Sequence, residues 1–125
     1  MEAKNKEINS EIENRIEMEI VVDAYDESER AMGWYYYLQD NLNVPFKAEC
    51  ILPVSTSPLK LGEIIEVIGM ANEENCEYDM FVKIKWKNKE TLCVPLKQLE
   101  GINIDDATKQ ALDDWAYWIS QKYRF

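Results

Sequence analysis

The sequence predicts an α+β fold, with helices in its N-terminal part, a small barrel of five short strands, and a C-terminal helix. Two patterns carry this expectation. Apolar residues recur at helical spacing between positions 15 and 42, and again between 105 and 123. From 44 to 102 the spacing changes to the two-residue alternation of half-buried strands, punctuated by Pro, Gly and Asn. At 125 residues and 46% hydrophobic, the chain has the size of one ordinary domain and enough apolar material for a core. The expected organisation is a frayed tail over 1–14 and a single domain over 15–125.

Within the N-terminal part, Ile16, Ile20, Val21 and Ala24 fit a helical face, although the β-branched run Ile20-Val21-Val22 also allows a strand. Asp26 and Glu29 are spaced as a capping box, which starts a second helix near Glu27. Ala31, Trp34, Tyr35, Leu38 and Leu42 form its buried stripe, and Gly33 suits a close approach to another element. Asn43 and Pro45 end it, because the residue before a proline avoids helical geometry. Phe46, Ala48, Cys50 and Leu52 then face inward along a first strand. Residues 63–69 give a second strand and 80–86 a third. Lys87-Asn88-Lys89 turns into a fourth at 90–94, and Pro95 to Leu99 makes a helical turn before a short fifth strand at Gly101-Ile102. A long first loop, a tight hairpin and a turn before the last strand resemble an SH3-like barrel. The helix over 105–123 carries Ala107, Ala111, Trp115, Trp118 and Ile119 on one face. Acids stand at its start and Lys122 and Arg124 at its end, as the helix dipole favours. Asp113 and Asp114 are expected on its wet face.

Composition narrows the function. There are 24 Asp+Glu against 14 Lys+Arg, a net charge of −10, and no histidine. Such a surface repels nucleic acid and anionic membrane and attracts hard cations and basic partners. Lack of His removes the commonest general base and a favoured transition-metal ligand, so oxygen ligation of a metal leads. No apolar run reaches about 18 residues, so no membrane span is expected. The charged residues 1–13 do not read as a secretory signal. Three cysteines without a C-x-x-C read as reduced thiols of a cytoplasmic protein. Cys50 and Cys93 are expected in the core, and Cys76 in an acidic loop that raises its pKa.

The acidic residues cluster at Asp23 to Glu29 and at Glu73 to Asp79. In an antiparallel meander the 72–79 loop returns to the end of the barrel where the first strand begins. The second helix delivers Asp40 and Asn41 to that end, and the turn after Pro95 lies there too. Asp40, Asn41, Glu73, Glu74, Glu77 and Asp79 can therefore converge beside helix-end carbonyls, a donor set suited to the 6–8 oxygens that Ca²⁺ takes. Asp23, Asp26 and Glu27 form a second candidate group, although capping accounts for Asp26. Neither cluster fits the EF-hand loop. The aromatic run Trp34 to Tyr37 reads as core packing against the barrel rather than a base-stacking platform.

The segment Arg15-Ile-Glu-Met-Glu-Ile-Val-Val-Asp-Ala-Tyr-Asp-Glu-Ser-Glu-Arg-Ala-Met-Gly-Trp-Tyr-Tyr-Tyr-Leu-Gln-Asp40 is similar to a known family, as are Val44-Pro-Phe-Lys-Ala-Glu-Cys50 and Val94-Pro-Leu-Lys-Gln-Leu-Glu100. It resembles the small acidic, non-EF-hand, CcbP-like calcium-binding proteins first described in heterocyst-forming cyanobacteria. The resemblance covers about residues 15–102. It implies Ca²⁺ as the ligand and a role in buffering or sequestering calcium during developmental signalling. Two other readings compete. An SH3-like interaction module would grip a basic or proline-rich peptide, although Tyr78 is the only tyrosine in the barrel region. An enzyme finds no Ser-His or Cys-His pair here, and none is expected.

Overall fold

The computed structural model describes residues 8–86, 90–123 and 125. Helix α1 (Ser10–Arg15) continues directly into a π-helical turn (Ile16–Ile20) and is followed by α2 (Glu27–Asn41). Strands β1 (Phe46–Cys50), β2 (Ile64–Met70), β3 (Phe81–Lys85), β4 (Thr91–Pro95) and β5 (Leu99–Ile102) follow. A 3₁₀ turn at Glu73–Cys76 precedes β3, a second at Leu96–Gln98 precedes β5, and α3 (Asp106–Ser120) closes the order. The expected turn Lys87-Asn88-Lys89, residues 1–7 of the expected tail, and Arg124 lie outside the described residues.

The N-terminal helix starts earlier than its apolar spacing suggests and stops sooner. The Asn9 side chain caps α1 by accepting from the Ile12 amide (3.1 Å). Glu13, placed by the sequence in a frayed tail, accepts from the hydroxyls of Tyr117 and Tyr123, both at 2.6 Å. Residues 9–13 are thus fastened to α3 by contacts across more than a hundred positions of sequence, which no local pattern records. The helix ends at Ile20, and Asp23 adopts a left-handed φ of 58° in the turn to α2. Gly33 allows the crossing of these two helices: a Cβ there would sit 2.3 Å from the Ile20 carbonyl oxygen.

The five strands form one antiparallel sheet in the order β4-β3-β2-β1-β5. The α+β class is as expected, but β4 and β5 occupy opposite edges and do not pair, so the sheet is open and the barrel does not close. Register brings Phe46 opposite Val67 and Phe81 opposite Pro95, with a bulge between Val67 and Gly69. Val82, Ile84 and Val94 are fully buried on the inner face. Cys93 alternates with Val94 and therefore faces out, contrary to the core position expected for it. Leu52 lies beyond the end of β1 and is exposed rather than inward. Cys76 is wholly buried, and burial is the first cause of its raised pKa, ahead of the negative charge of Asp79.

The core joins the inner sheet face to α2 and α3. Trp34 is fully buried and packs edge-on to Trp115 (5.0 Å between ring centres) and beside Trp118 (5.4 Å). Of the aromatic run on α2, Trp34 and Tyr35 are core as expected and Tyr37 is partly buried, but Tyr36 is exposed, and the rings that pack on Trp34 come from α3 rather than the sheet. Asp114 does not lie on a wet face. It is 0% exposed and accepts from Arg15 Nε (2.8 Å), Arg15 Nη2 (2.6 Å) and the Tyr37 hydroxyl (2.6 Å). A carboxylate enters an interior only with such partners, and Arg15 and Tyr37 come from different helices. Asp113, one residue away, is exposed and pairs with Lys109 at 2.9 Å.

Three outcomes follow for measurement. Asp114→Ala leaves Arg15 and Tyr37 without their acceptor and should cost about 3–5 kcal/mol in denaturant unfolding. The double change Arg15→Met with Asp114→Leu should cost clearly less; equal losses would refute a charge-pairing role. Burial first, and then the Asp114 hydrogen bond, push the Tyr37 hydroxyl from 10.0 up to about 12. The folded state thus favours neutral Tyr37. That stabilisation is present below pH 10 and is lost as pH rises from 10 to about 12. Tyr123, held by Glu13, is also raised to about 12, so Tyr37→Phe should flatten only part of that alkaline slope in thermal melts. Native-state thiol labelling should modify Cys93 rapidly and leave Cys50 and Cys76 protected until the protein unfolds.

Candidate metal centre

The 72–79 loop is built as an exposed arm between fixed points. On one side the Tyr35 hydroxyl donates to the Ala71 carbonyl (2.8 Å), and the buried Cys76 Sγ accepts from the Phe81 amide (3.4 Å). On the other side the Leu96 amide donates to the carbonyl of the buried Met80 (2.9 Å). Between Cys76 and Met80 lies the short arm Glu77-Tyr78-Asp79, with Tyr78 87% exposed. The β3–β4 register puts the Leu96–Gln98 turn at the same end of the sheet, as the meander argument anticipated.

This arm borders a cavity of about 460 Å³. Glu77 and Asp79 line it from the loop, Glu27 from the start of α2, and Lys97 from the 3₁₀ turn. Its opposite wall is aromatic: Trp115, Trp118, Tyr123 and Phe125, with the Trp118 and Phe125 rings stacked at 6.3 Å. Asp79 Oδ1 accepts from the Met80 amide (2.8 Å), and Oδ2 lies 3.5 Å from Lys97 Nζ.

The other expected ligands are placed as follows. Asp26 Oδ1 accepts from the Glu29 amide (2.8 Å) and Glu29 Oε1 from the Tyr25 amide (2.7 Å), so both are occupied in capping α2. Asp23 lies in the turn ahead of that cap. Glu73 accepts from the Tyr36 hydroxyl (2.5 Å), and Glu74 is exposed beside it. Asp40 is exposed one helical turn beyond Tyr36, while Asn41 donates to the Tyr37 carbonyl (2.8 Å). The C-terminal end of α2 turns towards α3: the Asn43 amide donates to Thr108 Oγ1 (2.9 Å), and its side-chain amide donates to Asp105, the cap of α3. Hydrogen bonds to Thr108, first the backbone one, hold the Asp105 carboxyl below the ordinary carboxylate range.

It is therefore the start of α2, through Glu27, that shares the cavity with Glu77 and Asp79. Lys97 and the aromatic wall escaped the sequence reading. Lys97 had a signal, since it sits in the turn expected at this end. The wall had none, because packing of the Tyr123 and Phe125 rings on α3 is a tertiary matter.

Among the described residues, no group of three or more His, Cys, Asp or Glu side chains stands close enough to enclose an ion as it is. The acids that line the cavity, Glu27, Glu77 and Asp79, are oxygen donors of the kind a hard cation takes, contributed by two separate segments.

A family model described as calcium binding, that of the CcbP family, matches residues 14–119. The chain belongs to this family of calcium-binding proteins, and its ligand is Ca²⁺. Among solved structures, the crystal structure of Anabaena CcbP is similar at 39% identity and a TM-score of 0.86. The alignment covers 95% of this chain and 97% of that one. A calcium-binding protein in its calcium-binding form is similar at 38% identity and a TM-score of 0.85, covering 98% of this chain and 99% of that one. A comparison with curated proteins finds no match.

Proposed function

We propose that the chain is a cytoplasmic calcium buffer that takes Ca²⁺ at the mouth of the α2–loop–α3 cavity. Glu27, Glu77 and Asp79 hold the ion with main-chain carbonyls of the arm, and Glu73 and Glu74 add to the local negative potential. The observation that carries this reading is that acidic residues from the start of α2 and from the 77–79 arm line one cavity. The calcium-binding form solved for a close relative supports the choice of ion. Three free thiols support a reducing compartment.

The role proposed is non-enzymatic storage. The arm is anchored at Cys76 and Met80, so neutralising it orders a few residues and leaves the packed core in place. Mg²⁺ competes poorly, since it demands a tight octahedron and gives up its water reluctantly.

Calorimetric titration with Ca²⁺ tests the ligand set. Glu77→Gln and Asp79→Asn should each weaken binding by about tenfold or more, since affinity follows the number of charged ligands. Glu27→Gln should weaken it less, and Asp40→Asn should leave it within about twofold. Amide exchange across 77–80 should slow when Ca²⁺ is added. Loss of binding in Asp40→Asn with wild-type affinity in Asp79→Asn would move the site to the other end of α2 and refute this assignment.

A further inference from the structure

We propose that the free edge of β5 is a docking site for an extended segment of another protein, one that alternates apolar residues with Lys or Arg and joins the sheet as a sixth strand. The inference is independent of where the ion binds.

Because the sheet is open, β4 and β5 each present an edge. The Ile51 amide donates to the Gln98 carbonyl (2.7 Å), which makes 51 and 98 a hydrogen-bonded pair. By the alternation of an antiparallel ladder, Glu49 with Glu100 and Lys47 with Ile102 are the next such pairs. The main-chain groups of Leu99 and Gly101 therefore point away from β1. The Leu99 amide is taken by the Leu96 carbonyl. The Leu99 carbonyl and both main-chain groups of Gly101 have no main-chain partner among the described residues. The β4 edge is blunter. The Trp86 amide donates to the Glu90 carbonyl (2.7 Å), so the same alternation turns Pro95 outward, and proline has no N–H to offer.

There is room beside β5 for the added strand. After Ile102 the chain turns at Asn103 (φ 52°). Ile104 packs so tightly on Gly101 that a Cβ there would lie 2.6 Å from Ile104 Cδ1. A cavity of about 440 Å³ stays open between Gly101 and the Leu112 and Ala116 positions of α3. It shares Ile51, Leu99, Leu112 and Ala116 with an adjoining groove of about 190 Å³. Ile51, Leu52 and Ile119 stand exposed along that groove, an apolar surface with nothing over it. A strand paired to Leu99 and Gly101 directs the side chains opposite them to the same face, and hence into this space.

Charge on the other face selects the partner. Glu100 stands directly opposite Glu49 of β1, and like charges so placed repel. Among the described residues neither forms an ion pair. A sixth strand puts the residue between its two groove-facing side chains directly opposite Glu100. Lys or Arg there relieves the Glu49–Glu100 repulsion and suits a chain of net charge −10. A second copy of this chain does not: pairing two four-residue β5 edges brings the Glu100 side chains near each other and two chains of net charge −10 together.

The probe is the acetylated, amidated peptide Ser-Val-Lys-Val-Lys-Val-Ser, titrated into the full chain at low ionic strength and followed by amide NMR. The Gly101 amide should shift and its exchange with solvent should slow, with Thr91 and Cys93 on the β4 edge unchanged. N-methylation of the central Val removes a strand donor and should weaken binding by about tenfold. Glu100→Lys should weaken the peptide by about fivefold and favour a version with Glu in place of both Lys. Glu19→Lys makes the same charge change at an exposed position of the N-terminal helix and should cost clearly less. Since Glu100 is exposed and faces Glu49, Glu100→Lys should melt no lower than wild type. Equal affinity for the N-methylated peptide, equal losses in Glu100→Lys and Glu19→Lys, or an unmoved Gly101 amide overturns the proposal. So does a dimer of the chain alone, seen by sedimentation, that the peptide fails to dissociate, since a second copy then holds the edge.

Discussion

The buried carboxylate of Asp114 is the constraint around which the helices are arranged. It sits on α3, receives two hydrogen bonds from Arg15 and one from Tyr37, and so ties α1, α2 and α3 at one point. Apolar packing alone would allow α3 to rotate or slide by small steps at modest cost. A buried charge does not, because any displacement that breaks its hydrogen bonds leaves it unpaired in a poor solvent for ions. The Trp34, Trp115 and Trp118 packing then fits only one orientation of α3, and Gly33 lets α2 lie against the Ile20 carbonyl closely enough to complete it.

The same arrangement creates the candidate site. Fixing α3 places Trp115 and Trp118 as a rigid wall, and fixing α2 brings Glu27 to the rim in front of it. The loop after β2 is pinned by Tyr35, Cys76 and Met80, with Glu77 to Asp79 between the last two of these anchors. Charge is divided accordingly. The acid buried in the interior is fully partnered inside the protein, whereas at the rim Glu77 is exposed and Asp79 meets the Met80 amide and Lys97.

The helical and strand segments were readable because each is set by local spacing. The stripe from Ala31 to Leu42 and the alternation from Phe46 to Cys50 can bury themselves in only one way. The capping of α2 by Asp26 was readable for the same reason, being a contact three residues long. Asp114 was misread because adjacent aspartates on a helix look alike in sequence, and only Arg15 and Tyr37, far away along the chain, tell them apart. Cys93 was misplaced because its strand is read correctly whichever face is assigned inward; pairing with β3 settles the face.

The sequence by itself determined the α+β order of elements, the family resemblance and the preference for a hard cation, since composition and short-range periodicity carry those. Tertiary structure decided which acids stand together. The meander correctly brought the loop and the Leu96–Gln98 turn to one end, but which end of α2 borders the cavity beside that loop depends on how α2 crosses Ile20 and meets α3. That crossing is fixed by a glycine contact and a buried ion pair, interactions between residues whose separation in sequence has no bearing on their distance in space.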